Sequence, residues 1–139
     1  MSLSVDHVVF WVADPLRSVE FYEQVLGCTG VPVDEFRAGK APFPSVRLSP
    51  SSMIDLMPIE RAAMANAIPG AAGSAGNKVN HLCLAMDPPA FAALRERLAA
   101  RGVAVPVTMK DSFGARGSAP ESFYFADPDG NVIEARYYA

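Results

Sequence analysis

The chain has 139 residues, half of them hydrophobic, and a formal net charge of −3. That length suits one compact domain with a real core, and the acidic balance removes the basic footprint that nucleic acid requires. No apolar run approaches the roughly 18 residues of a membrane-spanning helix and no charged-then-apolar leader opens the chain, so the expectation is a soluble, cytoplasmic protein with no membrane partner. Cys28 and Cys83 are the two cysteines, with no CxxC between them; both are expected to be reduced thiols.

Residues 5–12 form an apolar run that predicts a strand, with His7, Val9 and Trp11 on one face. Asp14 and Pro15 then supply the cap and first residue of a helix. Its stripe is Leu16, Val19, Tyr22 and Leu26, and Gly27 stops it. Short strands are expected near 31–36, 45–48 and 52–57, cut by Gly39, Pro42, Pro44 and Pro50. The Ala-rich stretch 60–68 predicts a short helix, and the glycines of 69–76 predict a flexible linker. The second half repeats this order: a strand over 79–86, a helix over 88–101 with Phe91, Leu94 and Leu98 inward, and strands near 103–109, 122–126 and 131–138. Asp127-Pro128-Asp129-Gly130-Asn131 is a hairpin turn by composition. The polar stretch 110–118 reads as a loop, either a solvated connection or a lid whose Lys110 or Arg116 holds an anionic substrate. The organisation is therefore one domain over 1–139, with a first module at about 5–58, a linker at about 60–77 and a second module at about 79–138.

The repeat carries the chemistry. His7 and His81 occupy the same place in Val5-Asp6-His7-Val8-Val9-Phe10 and Val79-Asn80-His81-Leu82-Cys83-Leu84, and each copy runs into an Asp-Pro helix start. The histidines stand 74 residues apart and the caps 73. Each half closes on an apolar strand interrupted by one carboxylate, Asp55 and Glu134, 79 residues apart, which implies a small insertion in the second half. Two imidazoles with a carboxylate suit Ni, Zn, Mn, Fe or Co, so His7, Asp55, His81 and Glu134 form a candidate donor set. Cys83 shares the strand face of His81 and reads either as a further ligand or as a small buried hydrophobe.

The strand-borne histidine before Ala13-Asp14-Pro15, the helix end Phe21-Tyr22-Glu23-Gln24-Val25-Leu26-Gly27 and the closing Phe125-Ala126-Asp127-Pro128-Asp129-Gly130-Asn131-Val132-Ile133-Glu134 resemble the vicinal oxygen chelate superfamily. This group includes glyoxalase I, fosfomycin-resistance thiol transferases, bleomycin-resistance proteins and extradiol dioxygenases. The resemblance covers nearly the whole chain and implies an α+β fold of two βαβββ modules, whose mixed sheets form a half-barrel around a divalent metal, commonly in a homodimer. It also implies His7, His81 and Glu134 as metal ligands, and it puts Asp55 at the first-module carboxylate position, one methylene shorter than the glutamate of glyoxalase I. The expected chemistry is Lewis-acid polarisation of two adjacent oxygens on a small anionic substrate, with Glu134 or Asp55 moving a proton. Tyr124 is a further catalytic candidate, and Trp11, Lys110, Arg116 and Ser122 are candidate substrate contacts.

Departures from the pattern narrow the reading. Trp11 replaces an arginine and Ile59 an asparagine that bind glutathione in short bacterial glyoxalase I. An extradiol dioxygenase matches from Tyr124 to Glu134 but needs a third histidine, and the chain has two. Fosfomycin transferases share Ser118, Ser122 and Tyr124, yet carry threonine where this chain has Val9. The glyoxalase-like reading therefore leads, with a dioxygenase, a thiol transferase and a non-catalytic binder of antibiotics or aromatic compounds as the alternatives.

Overall fold

The structure is a computed structural model that describes residues 5–67, 69 and 76–139. It comprises two compact units, Met1–Lys78 and Val79–Ala139. Most of the glycine-rich run 69–76, and Ile68 at the end of the expected short helix, lie outside the described residues.

The first unit runs β1 (His7–Val12), α1 (Pro15–Phe21), β2 (Thr29–Val31), α2 (Val33–Arg37), β3 (Ser45–Ser49) and β4 (Ser52–Pro58). Its sheet has the order β1-β4-β3-β2, with β1 parallel to β4 and the other pairs antiparallel. Asp14 caps α1 by accepting from the amides of Leu16 and Arg17, and Pro15 needs no amide partner there. Alternation on β1 buries Phe10 and Val12 while His7 and Val9 face outward. After α1 the chain widens into a π-helical turn, Tyr22–Leu26, ended by Gly27 in the left-handed region at φ 72°. The wider turn shifts the stripe, so Tyr22 and Val25 are fully buried and Leu26 stays partly exposed. After β4 a 3₁₀ turn at Ile59–Arg61 leads into α3 (Ala62–Ala65).

The second unit runs β5 (Leu82–Ala85), α4 (Pro88–Ala100), β6 (Val107–Gly114), β7 (Gly117–Ala126) and β8 (Val132–Tyr137). Its sheet order, β5-β8-β7-β6, reproduces that of the first unit, again with the first pair parallel. Each unit is thus a βαβββ-like module built on a four-stranded mixed sheet. Asp87 caps α4, whose Phe91, Leu94 and Leu98 are buried, and Phe91 meets Phe123 and Tyr137.

Two expected elements are corrected. Residues 31–36 do not form one strand, because Pro32 ends β2 and caps α2, where Asp34 and Glu35 suit the first turn and Arg37 the last. Residues 110–118 do not form a loop. They are the tips of β6 and β7, paired up to Gly114 and Gly117 and joined by the two-residue turn Ala115-Arg116.

The turn from β7 to β8 sets the register of the strand that carries Glu134. Buried Asp127 accepts from the amides of Asp129 and Asn131 and from the Asn131 side chain, at 2.8–2.9 Å. Gly130, at φ 79°, completes the turn. Asp127→Ala leaves a buried amide without its acceptor, a cost of about 1–3 kcal/mol. Thermal or urea unfolding is expected to show it clearly less stable than Asp129→Ala.

Candidate functional site

Each unit presents one histidine against one carboxylate, built the same way. In the first, His7 precedes by two the β1 residue, Val9, that pairs with Asp55 on β4. In the second, His81 precedes by two the β5 residue, Cys83, that pairs with Glu134 on β8. His7 Nε2 lies 3.8 Å from Asp55 Oδ2 and His81 Nε2 lies 3.3 Å from Glu134 Oε2.

The other ring nitrogens are also treated alike. His7 Nδ1 is 2.8 Å from Asp6 Oδ1, and His81 Nδ1 is 2.6 Å from Asn80 Oδ1. Carboxylate and amide oxygens only accept, so Nδ1–H donates in both rings. A neutral ring then turns the Nε2 lone pair toward an anionic oxygen, which is favourable only when a cation or proton lies between them. Outer groups that fix the tautomer in this way accompany metal-binding histidines, and the two donor pairs therefore fit a divalent cation chemically. Among the described residues no group of three or more His, Cys, Asp or Glu side chains is assembled to hold one. The structure shows two pairs of donors, not a closed cage. At His7 the hydrogen bond to Asp6 and the charge of Asp55 raise the pKa above 6.5.

The carboxylates differ in their surroundings. Asp55 Oδ1 accepts from buried Ser45 Oγ at 2.7 Å. Glu134 is buried and its Oε1 accepts from Arg136 Nη2 at 2.6 Å. Burial alone would raise its pKa; the hydrogen bond and charge of Arg136, helped by Tyr124 and Ser122, outweigh burial and hold it below the ordinary value. Burial, then the Glu134 charge, pushes Tyr124 up, so it stays a phenol and a donor.

Above this pair lies a cavity of about 430 Å³, lined by His81, Cys83, Tyr124, Glu134, Arg136, Tyr138 and the hairpin tip 112–116. The tip is seated on Arg136, whose Nη1 and Nη2 donate to the carbonyl and hydroxyl of Ser112, both at 3.3 Å. Tyr138 Oη accepts from the Arg116 amide at 3.5 Å. Gly114 allows this approach, since a methyl there would overlap Arg136 Nη1 and the Tyr138 hydroxyl.

Of the sequence candidates, His81, Glu134, Tyr124 and Arg116 line this cavity, while His7, Asp55 and Trp11 belong to the first unit. Ser122 is buried on the strand face it shares with Tyr124, and Lys110 pairs in register with Glu121, away from the cavity lining. Cys83 is an exposed cavity residue, not a buried hydrophobe. Arg136 and Tyr138 were missed; their signal was the i+2, i+4 spacing from Glu134, which puts them on its strand face.

Gly114→Ala is expected to lift the hairpin tip off Arg136 and Tyr138 at a cost of roughly 1–3 kcal/mol. An unchanged melting temperature would contradict the close approach. Desolvation, then nearby carboxylate charge, raises both thiols to about 11. At pH 8 that leaves on the order of one thiolate in a thousand. Metal-free protein should therefore react with iodoacetamide at least about tenfold more slowly than an ordinary cysteine, as mass spectrometry of the time course would show.

The glyoxalase/bleomycin resistance protein/dioxygenase superfamily model matches residues 4–135. An integron cassette protein from the mobile metagenome of V. cholerae is 29% identical, with a TM-score of 0.72, covering 100% of this chain and 98% of that one. A virulence protein from Salmonella typhimurium is 25% identical, with a TM-score of 0.74 and coverage of 100% and 99%. A lactoylglutathione lyase from Agrobacterium tumefaciens, 21% identical with a TM-score of 0.70 and coverage of 99% and 95%, shares the fold. No functionally curated protein matches the chain. With its two modules of one topology and a family model spanning residues 4–135, the chain belongs to the glyoxalase/bleomycin resistance protein/dioxygenase superfamily, also called vicinal oxygen chelate.

Proposed function

We propose that the chain is a metal-dependent enzyme of glyoxalase-like isomerase or lyase type, acting on a small anionic substrate with adjacent oxygens. The observation that carries this reading is the twofold recurrence of one device: a histidine held at Nδ1 by the preceding side chain, with Nε2 turned to a carboxylate oxygen. His7, His81 and Glu134 are the proposed ligands, and a homodimer is the proposed assembly. When bound, a divalent cation supplies Lewis-acid polarisation of two adjacent oxygens.

The residues divide the remaining work. Arg136 occupies Glu134 Oε1 and leaves Oε2 as the donor oxygen. That engagement makes Glu134 a poor mobile base. Asp55, held by Ser45 Oγ and facing His7, has no guanidinium among its described partners and is the proposed proton carrier. Tyr124, edge-on to His81 at 5.3 Å between centroids, can donate to a substrate oxygen.

Loading with Ni, Zn, Co and Mn followed by elemental analysis is expected to show one metal per chain. His7→Ala, His81→Ala and Glu134→Gln should each weaken binding by at least about tenfold, the scale of losing even an outer support. Wild-type protein that binds no divalent metal, yet binds organic ligands, would favour a non-catalytic binder. With Trp11 and Ile59 at the two glutathione positions, turnover of the methylglyoxal–glutathione hemithioacetal should fall below roughly 10⁴ M⁻¹s⁻¹ in kcat/KM.

Protonation of His7 provides a second check. Its folded pKa is raised, so the proton's small contribution to stability is present below about 6.5 and lost as pH rises through the folded value. Metal competes with that proton and should bind more weakly as pH falls through the same value. NMR titration of His7 is expected to show a midpoint above 6.5 without metal and no titration with it.

A further inference from the structure

The cavity carries two guanidiniums, Arg116 and Arg136, against one carboxylate, Glu134. Arg136 and Glu134 neutralise each other at 2.6 Å. Arg116 is left over: it is exposed, and among the described residues no carboxylate pairs with it. Its guanidinium instead lies over the Tyr138 ring at 4.8 Å from the centroid. A guanidinium held over a ring is not neutralised by it and keeps N–H groups with which it can bind a carboxylate through two parallel bonds. Its amide is anchored on Tyr138 as well, so backbone and side chain are both placed before a ligand arrives.

An apolar element stands beside this charge. Phe113 is 86% exposed yet lines the same cavity, with Ala115, Ala85 and Tyr124. A phenyl group left that open on a seated hairpin gains most from covering a flat apolar surface. The walls thus match one negative charge on a flat apolar body.

We propose that Arg116, held over the Tyr138 ring, and Phe113 form a subsite for a flat apolar monocarboxylate, an acid on an aromatic or unsaturated body. This deepens the function proposed above and rests on it in taking the cavity as the substrate site. The subsite needs no metal, and that separates the two claims.

Isothermal titration of metal-free protein with cinnamate, its neutral analogue cinnamamide, and acetate tests it. Cinnamate is expected to bind, Arg116→Gln to weaken it about tenfold or more, as loss of a charge-assisted bond implies, and Arg116→Lys to restore part of the loss. Cinnamamide should bind wild type no better than cinnamate binds Arg116→Gln. Phe113→Ser should weaken cinnamate several-fold and leave acetate unchanged. Equal cinnamate binding by wild type and Arg116→Gln, cinnamamide as tight as cinnamate, or no cinnamate binding would overturn the subsite. Arg116-dependent cinnamate binding in a protein that takes up no divalent metal would uphold the subsite and overturn the metal-dependent reading.

Discussion

The second unit depends on the buried pair between Glu134 and Arg136. Their side chains are 3% and 6% exposed and meet at 2.6 Å. Two charges removed from water to this degree are tolerable only when their remaining hydrogen-bonding capacity is used. Here Ser112 and Tyr138 take up the two Nη groups of the guanidinium, while Nε stays buried without a hydrogen-bond partner and the second carboxylate oxygen faces His81 Nε2. The same bonds that stabilise the pair fix the cavity floor and seat the hairpin above it. Breaking the pair from either side would leave an uncompensated buried charge, a loss on the order of 3–5 kcal/mol.

The first unit shows what the pair adds. Its histidine carries the same restraint on Nδ1 and faces a carboxylate at the same strand position. Two residues beyond Asp55, however, stands buried Met57 where the second unit has Arg136. Asp55 is therefore held by one hydroxyl, from Ser45, and keeps an oxygen 3.8 Å from His7. The duplicated sheets repeat the donors but not their electrostatic setting. One carboxylate is engaged by a guanidinium, and the other by a single hydroxyl.

Much of this was legible because it is periodic. Strand alternation around His7 and His81, the Asp-Pro caps of both helices and the inward face of α4 follow directly from residue spacing. The two misreadings have different causes, one distant in sequence and one local. Residues 110–118 are too polar to show a buried face, and they form strands because Arg136 and Tyr138, about twenty residues later, hold the tip down. Residues 31–36 read as one short strand, yet Pro32 and the acidic first turn decide for helix from Val33 on. The pairing of each histidine with a carboxylate was legible for the same reason as the fold, being placed by the repeat. Arg136 was not, because a single arginine in sequence reads as a solvated charge; only the closed sheet face shows it buried.

The arithmetic of the repeat also says where this chain differs from a plain duplication. The histidines are 74 residues apart and the carboxylates 79, so the second half holds five more residues between them. The two halves use that interval differently. The first unit crosses from β2 to β3 through α2 and the stretch 38–44, and its two strands have three and five residues. The second joins β6 to β7 by two residues and lengthens the strands to eight and ten. Chain that is a separate helix in one module thus becomes, in the other, a hairpin reaching past the sheet and back over its own carboxylate. Ser112, Phe113 and Arg116 all lie on that extension. Specificity can then change through the hairpin while the strand that follows His81 and the strand that carries Glu134 keep their register, a division between scaffold and variable segment that suits a fold serving many chemistries.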